Sequence, residues 1–532
     1  MKITKIVALA LLFSSASYAQ TLQTAIKKTE NERFTEAIKE FKTLIAAEPS
    51  NANNYFYLGE CFFAQNELDS ALIYWNNSAV NCPLSPIGMV GLGKYHWFKK
   101  EETQAKEQFT LALTKTKNKN PEIIRNIAKT YITSENKNLD EAIILLESAI
   151  KLDSKNEDSY LLLGDALNLK TPENGSPAIK NYNKALEVNP MSPRGIIRVG
   201  ILYKRAQSYD EAKVKYLEAQ RIDPTFAPAY RENAELHMLF NKNAIAIEEW
   251  KKYLELNNSV EARYRYTVAM YKGKMYCEVI PEIESYKAEY NNYFVEKMLA
   301  NSYAECTTAN DAFNKGMAAS EAFLKMAPAD KVFANDYKTR AQLYLNAQQD
   351  SLAILEFEKA GSMDEKVKLE IIPTIAKMAI KSKNYAKVIE YYEFKMSKGA
   401  LSPSENYELG KAYYIGPKNF VLADSAFARV TRLSSTYVPG HFWRGRANFQ
   451  LDPTNEKWLA LPYYQKALEL IKVEDRATSA YKAMTLESAK YIANYYTFST
   501  PKDLVKAKEF WTIVQTVEPT DADAKAFFAK NK

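Results

Sequence analysis

The segment Gly88-Met-Val-Gly-Leu-Gly-Lys94 sets Gly88 and the pair Gly93-Lys94 at the spacing of G-x-x-x-x-G-K-[ST], a loop that wraps phosphate oxygens in backbone N–H groups. That chemistry needs a hydroxyl after the lysine to hold Mg²⁺, and a strand before the loop to aim it. Tyr95 follows the lysine and Pro83-Leu-Ser-Pro86 precedes the segment, so neither part is supplied. Histidine is scarce, with only His96, His237 and His441. No H-E-x-x-H, G-x-S-x-G or Cys/His cluster at metal-ligand spacing occurs, so no catalytic residue, metal ligand or cofactor is assigned. Carboxylate pairs such as Glu101-Glu102 and Glu248-Glu249 read as solvated helix surface. The four cysteines, Cys61, Cys82, Cys277 and Cys306, form no C-x-x-C pair and are too few for a folding framework.

The elements that carry these residues read as helices. Sixteen glycines in 532 residues leave few close backbone approaches, which argues against many-stranded sheets. Lys2 and Lys5, the apolar run Ile6 to Phe13 and the small-x-small pair Ser17 and Ala19 compose a secretory signal peptide over 1–19, with the mature chain starting at Gln20. No later stretch is apolar enough to span a bilayer. Gln20 stands where a lipoprotein would carry cysteine, so no acyl anchor is expected. The net charge of +7 falls to +5 once the two leader lysines leave, which is weak for a nucleic-acid binder of this size.

An internal period organises the rest. Ala37, Ala71 and Ala105 stand 34 residues apart, and each is followed one helical turn later by an aromatic: Phe41, Trp75 and Phe109. Ala178, Ala212 and Ala246 repeat the spacing with Tyr182, Tyr216 and Trp250. Twelve residues before the alanine sits a small residue (Ala25, Gly59, Gly93, Gly200, Ala234), and twelve after it a proline (Pro49, Pro83, Pro190, Pro224, Pro519). The unit resembles the tetratricopeptide repeat, with its small residue on helix A, alanine and aromatic on helix B, and closing proline. The resemblance implies an all-α, right-handed α-solenoid of about fourteen helical hairpins. One hairpin cannot bury enough apolar surface alone, so each leans on the next. The domains expected are an N-terminal array over 20–260, an irregular segment over 261–333 with an insertion at Thr307 to Gly316, and a C-terminal array over 334–532. A cap helix at Asp521 to Lys530 turns Phe527 and Phe528 inward. In this register Gly93 is a packing residue and Lys94 points elsewhere on the same helix.

Such arrays bind extended peptides or partner helices on the concave face lined by helix A. On that face the resemblance places Arg125, Lys129, Arg194, Arg205, Arg231 and Arg265, with Lys338 further on; these cations either suit a protein partner with an acidic segment or are solvated side chains on exposed faces. Trp97 and Phe98 offer an apolar patch there, or pack inside the solenoid. By register, Cys277 and Cys306 lie on one edge, either as a disulfide or as free thiols, while Cys61 and Cys82 are expected unpaired. The triplets Asp69-Ser70-Ala71, Asp350-Ser351-Leu352 and Asp424-Ser425-Ala426 resemble a bacterial O-glycosylation signal, but fall where each repeat needs a polar N-cap. The function expected is a non-catalytic periplasmic scaffold associated with an envelope complex for outer-membrane transport, secretion or motility. The alternatives are a glycan- or nutrient-binding accessory of an outer-membrane transporter, and a secreted or surface-associated location.

Overall fold

The computed structural model describes residues 21–531, and every regular element among them is a helix. The signal-peptide expectation falls outside the described residues. The chain forms two compact units, one ending at Asn310 and one beginning at Asp311, a boundary inside the 261–333 stretch.

Unit 1 runs α1 (21–30), α2 (Phe34–Ala47), α3 (Ala52–Ala64), α4 (Leu68–Val80), α5 (Pro86–Phe98), α6 (Glu102–Lys115), α7 (Pro121–Thr133), α8 (Leu139–Leu152), α9 (Glu157–Lys170), α10 (Ser176–Val188), α11 (Pro193–Arg205), α12 (Tyr209–Ile222), α13 (Ala227–Leu239), α14 (Asn243–Leu256), α15 (Val260–Lys272), α16 (Tyr276–Tyr286) and α17 (Tyr293–Glu305). Unit 2 runs α18 (Ala312–Met326), α19 (Ala334–Asn346), α20 (Asp350–Met363), α21 (Glu365–Lys381), α22 (Tyr385–Lys398), α23 (Pro403–Ile415), α24 (Phe420–Leu433), α25 (Val438–Leu451), α26 (Leu461–Leu470), α27 (Lys482–Phe498), α28 (Leu504–Val517) and α29 (Ala522–Lys530). Within each unit, odd and even helices alternate as helix A and helix B of successive antiparallel hairpins, an α-solenoid. The supposed insertion at 307–316 is a turn followed by the start of α18.

Local chemistry sets the ends of these helices. Helix A opens with an Asn or Ser N-cap, as at Asn51, Asn120 and Ser192, often followed by proline in the first turn, where its missing N–H costs nothing. Helix A closes in a tight turn whose last N–H reaches back five residues: Arg33 to the Lys28 carbonyl at 2.8 Å, Glu67 to Phe62 at 2.9 Å, Glu101 to His96 at 2.9 Å. Each of these turns holds a residue with positive φ, and none of them is glycine: Glu32, Asn66, Lys100, Gln207, Asn241 and Lys274 in unit 1. Few glycines therefore did not mean few tight turns. The hydrogen bonds and packing of the hairpin offset a left-handed penalty of about 1–2 kcal/mol at each turn. The Asp-Ser triplets are not N-caps: Glu67, Gln349 and Asn419 cap α4, α20 and α24, and the triplets lie further inside those helices.

The core repeats the sequence grammar. A Cβ built on Gly59, Gly93, Gly164 or Gly410 would come 2.4, 2.4, 2.3 or 2.6 Å from the ring of Trp75, Phe109, Tyr182 or Phe427 respectively. The small residue of helix A is thus the socket for the aromatic of helix B. The repeat alanines Ala37, Ala71, Ala105, Ala178, Ala212 and Ala246 are fully buried. At the far end of unit 2, Asp521 caps α29 through the N–H groups of Asp523 and Ala524, and Phe527 stacks on Trp511 with ring centroids 5.8 Å apart.

Candidate functional site

The residue one past the small packing residue of helix A recurs as Glu60, Lys94 and Lys129, on α3, α5 and α7. These three side chains meet. Glu60 pairs with Lys94, and its other oxygen is 2.7 Å from Lys129 Nζ. Lys94 is wholly buried and lies 4.5 Å from the centroid of the Trp75 ring. A carboxylate from the preceding hairpin, and no phosphate loop, holds the ammonium. Burial, reinforced by the Lys129 charge, pushes Lys94 down to about 8 against the pull of Glu60. Burial acts to raise Glu60, but its two ammonium neighbours outweigh it and hold the carboxyl down to about 2.

Five of the expected groove cations, Lys129, Arg194, Arg231, Arg265 and Lys338, are held by the chain's own acids. Arg194 on α11 contacts Glu30 at 2.5 Å, Glu157 at 2.6 Å and Asp158 at 2.5 Å. Arg231 on α13 pairs with Glu32 and approaches Glu232 at 3.4 Å. Arg265 bonds Glu261 one turn away at 2.8 Å. Arg125 keeps a buried Nη1 with no hydrogen-bond partner among the described residues. Arg205 is exposed at the end of α11, and Lys338 in unit 2 pairs with Glu370. Burial and the nearby Asp158 and Glu157 carboxylates push Glu30 above the usual carboxylate range against the pull of Arg194. Burial acts to lower Arg194 and Arg231, but Glu30, Asp158 and Glu157 outweigh it at the first and Glu32, Tyr253 and Glu232 at the second, pushing both further up.

The apolar patch needs a correction. Trp97 is buried, and its indole N–H donates to Ser134 Oγ at 2.9 Å and to the Asn136 carbonyl at 3.1 Å, so it packs inside the array. Phe98 is half-buried, 5.0 Å from Phe63 and 5.3 Å from Trp75 between ring centroids. Trp97 is thus a core ring, and Phe98 alone keeps part of its surface accessible. His237 is buried, while His96 Nδ1 lies 2.5 Å from Glu101 at the end of α5.

Cys277, in the first turn of α16, and Cys306, capping α17, are joined in a disulfide with Cα atoms 5.2 Å apart. Cys61 and Cys82 are free and buried; burial pushes the Cys61 thiol up to about 11. Among the described residues no group of His, Cys, Asp and Glu is arranged to hold a metal ion, and no helix is long and apolar enough to cross a membrane.

Sequence reasoning missed the acids: Glu30, Glu32, Glu60, Glu157, Asp158 and Asp165, the last gripped by Arg198 at 2.9 Å. A signal existed for some. Glu60 and Lys94 are 34 residues apart, and Asp165 and Arg198 are 33 apart, so opposite charges one period apart mark a pair on neighbouring helices A. No such signal exists for Glu30 and Arg194, which are 164 residues apart.

Helical hairpins with a glycine socket, a buried alanine and a helix-B aromatic define the class, and residues 25–86 match the family model of the tetratricopeptide repeat. This chain carries tetratricopeptide repeats. It is similar, at 33% identity over 98 residues, to a protein of Solanum lycopersicum described as a probable UDP-N-acetylglucosamine–peptide N-acetylglucosaminyltransferase SPINDLY; the match takes in 18% of this chain and 10% of that one. The chain thus spans about a tenth of that relative's length. Among solved structures it is similar to the C-terminal part of a TPR repeat-containing protein from Cytophaga hutchinsonii (29% identity, 50% of this chain and 98% of that one, TM-score 0.39). It is also similar to a tetratricopeptide repeat protein from Parabacteroides merdae (20% identity, 49% and 98%, TM-score 0.30).

Proposed function

We propose that this protein is a non-catalytic scaffold, exported to the periplasm, which holds protein partners on the inner, helix-A faces of its hairpins in service of outer-membrane transport, secretion or motility machinery. The tetratricopeptide hairpins carry this reading. Among the described residues they repeat a surface along the chain and bring together no nucleophile, base and oxyanion donors of the kind acyl or glycosyl transfer needs. The finer location rests on the first nineteen residues, whose charged start, apolar run and small-x-small end are those of a leader. Partner contact is expected where helix A carries accessible side chains. In unit 2 Lys411 stands one residue past the packing Gly410, with its ammonium 5.7 Å from the Tyr407 ring centroid and 5.5 Å from that of Trp443.

A photo-crosslinking residue at position 411, with one at the exposed Lys180 on helix B as control, tests this in intact cells. Protein adducts from position 411 that are absent from position 180 support the scaffold; saturable sugar binding with no adduct overturns it. N-terminal sequencing of the purified protein is expected to begin at Gln20, and a chain that retains Met1 would remove the export reading.

A further inference from the structure

The turn joining α1 to α2 sits against helices 160 to 220 residues further on in the manner of a bound peptide. Glu30 reaches Arg194 on α11 at 2.5 Å. Asn31, only 4% exposed, donates its amide to Asp223 at 3.1 Å and Thr225 at 3.0 Å, and its carbonyl accepts the Ala227 N–H at 3.3 Å. Glu32 takes the Arg231 guanidinium on one oxygen and the Tyr253 hydroxyl, at 2.8 Å, on the other. Asn257 in turn donates to that hydroxyl at 2.8 Å and fixes its direction. Unit 1 therefore winds far enough in its first seven hairpins for the first turn to meet the sixth and seventh.

Two observations mark this contact as separable from the fold of the hairpin that makes it. First, it is polar, whereas the apolar cluster of the first hairpin (Ala25, Phe34, Ala37, Phe41, Leu44) is completed by Leu58 and Cys61 of the next hairpin. Second, Glu30 brings a third carboxylate to a guanidinium already held by Glu157 and Asp158. Crowding like charge around one cation weakens the hold on the last to arrive. None of the side chains that hold Glu30, Asn31 and Glu32 belongs to their own hairpin: Arg194 and Arg231 lie on successive helices A, with Asp223 and Thr225 from the turn after α12 and Tyr253 from α14.

We propose that this face of unit 1 recognises a Glu-x-Glu turn or peptide segment, and that the chain's own Glu30-Asn31-Glu32 occupies it until a protein partner bearing the same pattern displaces it. Two guanidiniums set for two carboxylates one residue apart give the selectivity, and the central residue supplies an amide side chain and a carbonyl. This deepens the partner-binding reading and rests on it.

The test uses the full mature chain and a fluorescein-labelled peptide of residues 27–34 (Lys-Lys-Thr-Glu-Asn-Glu-Arg-Phe), with a control in which both glutamates are glutamine. The variant Glu30→Lys/Glu32→Lys sets cation against cation and releases the turn. It is expected to bind the peptide at least about tenfold more tightly than the wild type, because an internal occupant lowers apparent affinity by the fraction of time it is bound. Adding Arg231→Glu is expected to remove that binding. In the wild type, amide protection of 29–33 should fall as NaCl rises from roughly 50 to roughly 500 mM, while α3 to α6 are unchanged. Equal binding of the peptide to wild type and variant, equal binding of the control peptide, or no binding to a variant with native helical circular dichroism would each overturn the proposal. Should the double charge reversal fail to fold, Glu32→Ala alone carries the same comparison. If the peptide fails while crosslinks at position 411 persist, the Glu-x-Glu site falls and the scaffold reading stands.

Discussion

Lys94 lies where three effects compete: burial favours its neutral form, Glu60 favours the charged one, and Lys129 repels it. Its folded value near 8 is below the ordinary 10.5, so between those pH values the unfolded chain binds more protons and stability rises with pH. Lys94→Met should abolish that rise, read as the urea midpoint between pH 8 and pH 10, and should cost less at pH 7 than loss of Glu60 does, because the Glu60 carboxylate keeps Lys129 as a partner. Glu60→Gln leaves two ammoniums facing each other and should cost about 3–5 kcal/mol at pH 7. In the wild type the Glu60 contribution is complete above its ordinary value of 4.5 and is lost as pH falls toward 2, since its folded value is the lower one. Gly164→Ala is a second residue-scale case. The new Cβ would lie 2.3 Å from the Tyr182 ring, and overpacking of this kind should lower the unfolding free energy by about 1–3 kcal/mol.

Among the elements, α16 combines a short length with an internal proline. It is 11 residues long and carries Pro281 inside, which removes the hydrogen bond that residue 281 would otherwise give to the Cys277 carbonyl and frees the first turn of the helix. The disulfide to Cys306 fastens that same turn to the end of α17. It closes a loop with a sequence separation of 29, which by loop entropy is worth roughly 3–4 kcal/mol. The pair Cys277→Ser/Cys306→Ser should therefore lower the thermal midpoint, and wild type with reductant should shift to match it. A variant as stable as the oxidised wild type would show that helix packing alone holds α16. The repeat grammar is also weakest here: Ile280 stands where the helix-B alanine usually does, on the same helix as the covalent link.

At the scale of a whole unit, repeats that lean on neighbours are least supported at the outermost hairpin. In unit 2 the end is covered by α29, whose Phe527 stacks on Trp511 and is buried. Phe527→Ala should cost about 3 kcal/mol and raise the hydrogen exchange of α28 more than that of α19 to α22, because in a quasi-one-dimensional array fraying starts at the end and is damped by each hairpin. Uniform acceleration along unit 2 would mean that it unfolds as one block. At the other end of the chain the first hairpin is tied in twice, by apolar packing to α3 and α4 and by its turn to α11, α13 and α14.

Short-range facts were in the sequence. Side-chain size at a 34-residue period determined the hairpins, the glycine sockets, the buried alanines and the cap with Phe527, since each contact joins residues within about one repeat and leaves a periodic trace. The helix-A cations were legible as residues on one face, but their state was not. Whether Arg194 and Arg231 stand open or are held by Glu30 and Glu32 depends on the pitch of the array, a sum of small rotations at every hairpin that no local pattern encodes. Lys94 shows the same divide: its place on α5 followed from the period, while its burial required the Glu60 of one neighbouring helix and the Lys129 of another to close on it.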